Sequence, residues 1–263
     1  MIDIGANLTH ESFTKSMSSV IRRAHDSGVS HIIVTGSCIK SSEEAIILTD
    51  TYDSLFSTVG IHPHNAKLFK HENVDYIKHL TAQPRVVAIG ECGLDYNRNF
   101  STKGDQILCF RSHIEIAAQL GMPLFLHQRD AHLDMINLLD EYSSRNIKGV
   151  LHCFTGDLNE LNAYLDRGYF IGITGWLCDL IRGESLRESI RYIPLDRLLI
   201  ETDAPYLIPK NLKVMPKSRL NEPYYLPHIV NEIALLKRCS NEAVIDNTRN
   251  NSIELFNLPI PVT

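Results

Sequence analysis

The sequence lacks long apolar runs and a targeting segment. No apolar run approaches the roughly 20 residues that a membrane-spanning helix needs, which excludes the membrane-spanning class. Residues 1–5 have neither the basic region nor the apolar region of a signal peptide. We therefore expect a soluble, cytoplasmic protein.

Paired cysteines are also absent. The six cysteines form no C-x-x-C pair and show no disulfide-framework spacing, which excludes a disulfide-stabilised scaffold and is typical of reduced thiols in the cytosol. A chain of 263 residues buries enough apolar surface to fold without disulfides. The cysteines are Cys38, Cys92, Cys109, Cys153, Cys178 and Cys239.

An excess of positive charge is missing too. The chain has 26 Lys and Arg against 31 Asp and Glu, a net charge of -5, and its pI is near 6.2. This balance argues against a protein that coats nucleic acid, which is usually strongly basic. It permits an enzyme that takes a polyanion into one local, metal-bearing pocket.

Short apolar, β-branched runs do recur along the chain, with helical patterns between them. Such runs are typical of strands that are covered on both faces of a parallel sheet. Residues 105–120 have apolar positions at helical spacing, and Gly121 is positioned to end that helix. The predicted strands are 2–6, 31–37, 55–60, 86–91, 123–127, 149–153, 169–174 and 197–203.

About eight strand–helix units without a linker predict an α/β fold, a (β/α)8 TIM barrel. A doubly wound open sheet is the structural alternative. We expect one barrel domain over residues 1–263, with a final helix or two between residues 221 and 256.

The predicted strands end in ionisable side chains. His62 follows strand three, Glu91 ends strand four, His127 strand five, His152 strand six and Asp203 strand eight. The carboxyl ends of barrel strands converge on one mouth, where barrel enzymes keep their chemistry. Because an isolated buried charge is costly unless it is paired or bound to a metal, these ends predict a common site.

Imidazole nitrogens mixed with carboxylate oxygens suit a divalent metal such as Zn²⁺ or Mn²⁺. We predict that Glu91, His127, His152 and Asp203 bind it. A bound metal activates water, and one carboxylate must accept the proton of that water. Asp203 is the candidate general base, so the residues predict a hydrolase.

Each of these residues has a simpler interpretation when it is taken alone. A strand-end histidine is more often a hydrogen-bonded core or surface residue than a ligand. Asp203 could cap a helix, and Glu91 could satisfy a buried arginine or backbone amide. Their conjunction at matching strand ends favours the metal site.

At these residues the sequence resembles the TatD family of metal-dependent deoxyribonucleases, within the amidohydrolase-like barrels. The ordered set of motifs is far more specific than any single one, and it extends from residue 2 to residue 256. The motifs are DIGANLT (3–9), GIHPH (60–64), AIGECGLDYNR (88–98), PLFLHQRDA (123–131), LHCFTG (151–156), ETDAPYL (201–207) and NEP (221–223).

The resemblance implies a TIM barrel of the metal-dependent hydrolase type that acts, with Mg²⁺, as a 3′–5′ exonuclease on single-stranded DNA or RNA. The donor types also permit Mn²⁺ or Zn²⁺. Glu91, His127, His152 and Asp203 fall on the metal-binding and catalytic positions of the family. His62 falls on a position that lines the same pocket, which implies a hydrogen bond to a phosphate oxygen.

One departure concerns the first strand. Many members of the wider family carry His-x-His there, which holds a second metal ion. Asn7 and Thr9 occupy those places here, and their neutral side chains are poor ligands for a transition metal. This is the pattern of the TatD-type branch, and it predicts one well-held ion, with the second weak, substrate-assisted or absent.

Substrate contacts are expected from cations and aromatic rings that follow the strand-end motifs. We predict that Arg129 and Trp176 contact substrate beside His62. Each aromatic could equally pack a loop against the barrel rim, and Arg129 could pair with Asp130. The full set is Arg98, Arg129, Arg219, Tyr96, Phe100, Trp176 and Tyr206.

Two other functions remain open on the sequence. One is a metal-dependent amidohydrolase or lactonase that acts on a small molecule, since the same ligands serve a carbonyl centre. The missing His-x-His and the absence of a bridging lysine at strand four, where Glu91 stands, argue against it. The other is a non-enzymatic scaffold, which the complete ligand set disfavours. We expect a monomer.

Overall fold

The computed structural model describes residues 1–261. Most of the strands within these residues are short. All residues of the first strand and of the third strand are buried. They are β1 (Ile2–Ala6), β2 (His31–Val34), β3 (Leu55–Val59), β4 (Val86–Asp95), β5 (Leu124–Arg129), β6 (Gly149–Leu151), β7 (Phe170–Ile173) and β8 (Leu198–Ile200).

Within residues 1–261 one α-helix lies between each two successive strands, and two more follow the last strand. None of the helices in residues 1–261 is long and apolar enough to cross a membrane. They are α1 (Met17–Asp26), α2 (Ile39–Thr51), α3 (Glu72–Thr81), α4 (Lys103–Leu120), α5 (His132–Glu141), α6 (Leu158–Leu165), α7 (Glu184–Ser189), α8 (Leu226–Lys237) and α9 (Asn241–Phe256).

The strands are ordered in the sheet as they are in the chain, from β1 to β8. The chain returns to its start after β8, where Ala204 forms a parallel bridge with Ala6. This is a (β/α)8 barrel, and the expected fold class is confirmed. The doubly wound alternative is wrong, because such a sheet reverses its strand order at a switch point.

The chain forms two compact units. The first consists of Met1–Val34 and of the chain from Cys153 onwards. Within it β1 pairs with β2, β7 pairs with β8, and α9 packs against β1 and β8. The expected C-terminal helices are present as α8 and α9.

The second unit is Thr35–His152, with β3 to β6 in parallel. Its longest helix, α4, packs on β4. The helix begins two residues before the predicted 105, because Thr102 caps it by accepting the N–H of Asp105 at 3.2 Å. It ends as predicted at Gly121, which adopts a φ of 66°. The single-domain assignment of residues 1–263 stays a prediction.

The predicted end of β4 is wrong. The strand was expected to end at Glu91 but continues to Asp95, because Gly93 and Asp95 pair with His127 and Arg129 of β5. The register shifts between Gly90 and Cys92, so Glu91 lies in a bulge inside the strand. By contrast β6 and β8 are shorter than expected, and His152 and Asp203 follow them rather than end them.

Candidate metal centre

The bulge in β4 presents the side chain of Glu91. Its backbone N–H donates to the carbonyl of Gly36 at 2.8 Å instead of to the neighbouring strand β5. A bulge re-aims the side chain of the residue that it leaves unpaired. The Glu91 side chain is only 8% exposed, so its carboxylate requires partners within the protein.

Three imidazoles provide those partners. The Oε1 atom of Glu91 lies 3.3 Å from Nε2 of His62, 3.0 Å from Nδ1 of His127 and 3.2 Å from Nε2 of His152. His62 follows β3, His127 lies in β5 and His152 follows β6. Four side chains from four consecutive strands therefore meet at one carboxylate oxygen, and we call them the Glu91 cluster.

The charges within the cluster are set by burial and by mutual contact. Burial opposes ionisation of Glu91, but His62 and His152, together with hydrogen bonds from the imidazoles, hold the pKa of its carboxyl well below the usual value. Burial lowers the pKa of His62 to about 4, although Glu91 acts in the opposite direction. At neutral pH the cluster thus combines an anionic carboxylate with a neutral His62.

These residues fit a divalent cation. Ions with bonds of about 2.0–2.1 Å to their ligands hold neighbouring donor atoms between about 2.8 Å apart, in an octahedral shell, and about 3.4 Å apart, in a tetrahedral shell. The contacts of Glu91 fall in that range, and Nε2 of His62 lies 3.2 Å from Nδ1 of His127. His62, Glu91 and His127 each offer a donor atom within 4.8 Å of the others. Deprotonated nitrogen and carboxylate donors are the states that a metal requires.

A second carboxylate, Asp95, holds the other side of His127. Its Oδ2 lies 3.3 Å from Nε2 of His127 and 2.8 Å from Nε2 of His64. Burial opposes ionisation of Asp95, but hydrogen bonds from these two imidazoles lower the pKa of its carboxyl. The imidazole of His127 thus lies between Asp95 at Nε2 and Glu91 at Nδ1. Burial opposes its protonation, but the hydrogen bonds with these two carboxylates raise its pKa. A cation bound at Nδ1 would take the place of a proton there. Outer partners such as Asp95 orient metal ligands.

Sequence reasoning gave Asp95 and His64 no role. Asp95 and His64 lie in the same motifs as Glu91 and His62, and only Glu91 and His62 were predicted to have a role. Asp95 is the last residue of β4 and only 1% exposed. The sequence signal for Asp95 was therefore a carboxylate at the end of an apolar strand. It was missed because β4 was predicted to end four residues earlier, at Glu91.

Asp203 lies in the first unit, directly after β8. Its backbone N–H donates to the carbonyl of Gly5 at 2.8 Å, and its Oδ1 accepts a hydrogen bond from Nδ2 of Asn7 at 2.9 Å. The next helical residues begin at Pro223, so Asp203 does not cap a helix. Asn7, which stands in place of a family histidine, orients this carboxylate instead.

The residue before Asp203 is fixed from both sides. Thr202 donates its N–H and its hydroxyl to Asp3 at 2.9 Å and 2.5 Å, and its carbonyl accepts from Asn221 at 2.8 Å. Burial raises the pKa of Asp3 to about 7, although the hydrogen bonds from Thr202 act to lower it. The DIGANLT and NEP motifs thus meet at the segment that carries Asp203.

The two remaining predicted residues have different surroundings. Arg129 lies in β5 two residues after His127, and the alternation of side chains along a strand places both on the same face. Its guanidinium forms no hydrogen bond or ion pair with any residue in 1–261, so it does not pair with Asp130. In the first unit, Trp176 donates its indole N–H to the carbonyl of Arg182 at 2.9 Å, and the guanidinium of Arg182 lies 4.6 Å from its ring centre.

A family model described as "TatD related DNase" matches residues 2–257. The chain belongs to this family. A curated relative from Salmonella typhimurium, named "3'-5' ssDNA/RNA exonuclease TatD", is 46% identical over 256 residues, which cover 97% of this chain and 98% of the relative. A relative from Escherichia coli K12 with the same name is 48% identical over 234 residues, covering 89% and 90%.

Solved structures show the same fold. A TatD family hydrolase from Entamoeba histolytica superposes with a TM-score of 0.90 at 31% identity and covers 97% of both chains. A TatD homologue from Escherichia coli K12 has a TM-score of 0.90 at 24% identity and covers 98% of both chains. At 24% identity the second comparison supports the fold alone.

The predicted site residues therefore fall into two groups. Glu91, His127 and His152 lie together with His62 in the second unit. Asp203 belongs to the first unit. The roles of all five in metal binding and catalysis stay predictions.

Proposed function

We propose that this protein is a divalent-metal-dependent phosphodiesterase that removes nucleotides from the 3′ end of single-stranded DNA and RNA. The observation that carries the proposal is the Glu91 cluster, one anionic oxygen with three imidazole nitrogens at 3.0–3.3 Å, in a member of the TatD-related DNase family. Relatives that share almost half of its sequence bear the name of such an exonuclease.

The proposed metal ligands are Glu91, His127, His152 and Asp203. When bound, the ion supplies a more acidic water and polarises the phosphate. Mg²⁺ is the proposed ion on the family pattern, and the imidazole donors also suit Mn²⁺ and Zn²⁺. We propose one firmly held ion, because Asn7 and Thr9 replace the histidines that hold a second.

Asp203 is the proposed general base, which takes the proton of the attacking water. What supports this role is its fixed placement after β8. The Asn7 amide orients the carboxylate, and Gly5 anchors the backbone of the same residue. Glu91 is proposed to take part in catalysis through the cation that it holds.

Three residues are the proposed substrate contacts. His62 is neutral at pH 7, because burial lowers its pKa to about 4, and we propose that it forms a hydrogen bond with a phosphate oxygen. Arg129, on the same face of β5 as His127, is proposed to bind a phosphate through its guanidinium. Trp176 is proposed to contact a base through the ring face opposite Arg182.

The decisive test is a gel assay with end-labelled single-stranded DNA and Mg²⁺. We expect a 5′-labelled strand to shorten stepwise and a 3′-labelled strand to release its label at once. A chelator should stop both reactions. An enzyme that leaves DNA and RNA intact while it hydrolyses an ester or a lactone would instead be the small-molecule hydrolase that the ligand set also permits.

The role of Asp203 has its own test. Asp203→Asn removes a base and a charge with little change in volume, and we expect a loss of hydrolysis with an unchanged melting temperature. Asp196→Asn is the matched control, since Asp196 is an exposed aspartate of the same unit. Normal DNA degradation by Asp203→Asn would exclude it as the base.

We also propose that the protein acts as a monomer in the cytoplasm. No disulfide joins any of the six cysteines in residues 1–261, which suits a reducing compartment. Sedimentation at micromolar concentration should give the mass of a single chain, 29.8 kDa.

A further inference from the structure

Residues 96–101, the first six residues of the segment that connects β4 to α4, are firmly held next to the Glu91 cluster. Asp95 Oδ1 accepts the backbone N–H groups of Asn97 at 3.0 Å and of Arg98 at 2.9 Å. The 96–101 loop is therefore a rigid support. Its last residue, Ser101, is fixed by the carbonyl of His64, the N–H of Lys67 and the side-chain amide of Gln106.

Phe100 stands on this support with its side chain 56% exposed. Its ring meets His64 at right angles, with the ring centres 4.8 Å apart and an interplanar angle of 85°. His64 in turn lies 4.3 Å from His62, a member of the Glu91 cluster. A single imidazole thus separates Phe100 from the cluster. An edge contact of this kind covers only part of a ring, and with 56% exposure Phe100 keeps ring surface that a ligand can reach.

Cationic residues lie near Phe100 in the chain and in the sheet: Arg98 precedes it by two residues, and Arg129 pairs with Asp95, which comes directly before the loop. The guanidinium of Arg98 forms no ion pair within the described part of the chain, and the same holds for Arg129. Lys103, in the first turn of α4, lies with its Nζ 4.0 Å from the ring centre of Tyr96. Aromatic faces combined with unpaired cations are what proteins use to bind single-stranded nucleic acids.

On this geometry, and resting on the exonuclease function proposed above, we propose that Phe100 is the stacking platform for the base at the 3′ end of the substrate strand. The base lies flat on Phe100 while its phosphodiester reaches the Glu91 cluster, and Arg98 and Arg129 neutralise the neighbouring phosphates. Because every base has an aromatic face, this site binds without sequence preference.

The test measures stacking directly. A single-stranded oligonucleotide carries 2-aminopurine as its 3′-terminal base, joined by a hydrolysis-resistant phosphorothioate linkage, and is titrated with the full chain in Mg²⁺. Stacking quenches the fluorescence. Phe100→Ala should raise the half-saturation concentration about 5- to 150-fold, the range that loss of one base–aromatic stack produces. Phe100→Trp should bind as tightly as the native protein, because it restores a flat ring.

Two controls separate stacking from general packing. Phe100→Leu keeps an apolar side chain without a flat face, so it should bind as weakly as Phe100→Ala. Leu133→Ala removes another exposed apolar side chain of the same unit, 76% exposed on α5, and should match the native protein. With an abasic 3′ end, native protein and Phe100→Ala should have the same KM.

The possible failures are distinguishable. If the native protein shortens DNA but Phe100→Ala or Phe100→Leu quenches the 2-aminopurine fluorescence as well as the native protein does, the stacking site is wrong. The exonuclease function is then left intact. A native protein that neither binds nor shortens any oligonucleotide overturns the proposed function, and the stacking site with it.

Discussion

Asp95→Asn tests how the Glu91 cluster is held together. Asp95 uses Oδ1 for the two backbone amides of the 96–101 loop and Oδ2 for His64 and His127. An asparagine that keeps its oxygen on the amides must turn its NH2 group towards Nε2 of His127. Two donors then face each other, and the imidazole can avoid this only by keeping its proton on Nδ1.

That proton would occupy the nitrogen that faces Glu91 at 3.0 Å and is proposed to bind the cation. The loss of such an outer partner typically costs 10- to 100-fold in metal affinity, which corresponds to about 1.4–2.7 kcal/mol. We expect a loss in this range for Mn²⁺, measured by calorimetry on chelator-stripped protein at pH 7.5. Activity should return at saturating Mn²⁺, because Asp95 acts by positioning His127.

Asp130→Asn is the matched control. Asp130 is an exposed aspartate near the same loop and accepts a hydrogen bond from Asn97 at 2.7 Å, but no contact joins it to an imidazole within residues 1–261. Its variant should bind Mn²⁺ normally. Unchanged Mn²⁺ affinity in Asp95→Asn, together with a lower free energy of unfolding, would refute the reasoning and leave Asp95 a purely structural residue.

Three further predictions concern stability. Burial lowers the pKa of His113 to about 4, so between pH 6.5 and pH 4 mainly the unfolded chain gains a proton at this residue. The free energy of unfolding, measured by urea titration, should therefore fall over this pH range by about 3 kcal/mol more in the native protein than in His113→Gln. Mn²⁺ at 100 times its Kd should stabilise the native protein by about 2.7 kcal/mol, a gain that calorimetry should not detect in Glu91→Gln. Gly93→Ala should lower both the melting temperature and the Mn²⁺ affinity, because a Cβ at this position would clash with the carbonyl oxygen of His127. A variant that lowers only one of the two would contradict the idea that the β4–β5 contact supports both the fold and the site.

The strands were predictable because burial on both faces leaves a plain apolar signature in the sequence. β1 was predicted with its exact bounds, and β3 to within one residue. The sequence could not show the bulge in β4, because a bulge depends on the pairing partner. Only in the structure does the N–H of Glu91 bind Gly36 rather than β5.

The candidate site was predictable in its residue types and less so in its arrangement. Strand-end positions pointed to His62, Glu91 and His127, since parallel strands bring these ends together. Which imidazole nitrogen faces which oxygen depends on side-chain orientation, and no motif records that. For this reason His127 was expected as a ligand, whereas the carboxylate that orients it, Asp95, was not.

The bulge and the extension of β4 together explain how one strand can hold His127 from both sides. Glu91 contacts Nδ1 of His127 and Asp95 contacts Nε2, although a regular strand places residues four apart about 13 Å from each other. Gly93, between them, pairs directly with His127, and its missing side chain lets β4 and β5 approach closely. The strand β4 therefore supplies both the carboxylate that is proposed to bind the cation, Glu91, and the carboxylate that orients His127, Asp95. A change in the β4–β5 register would displace both carboxylates at once.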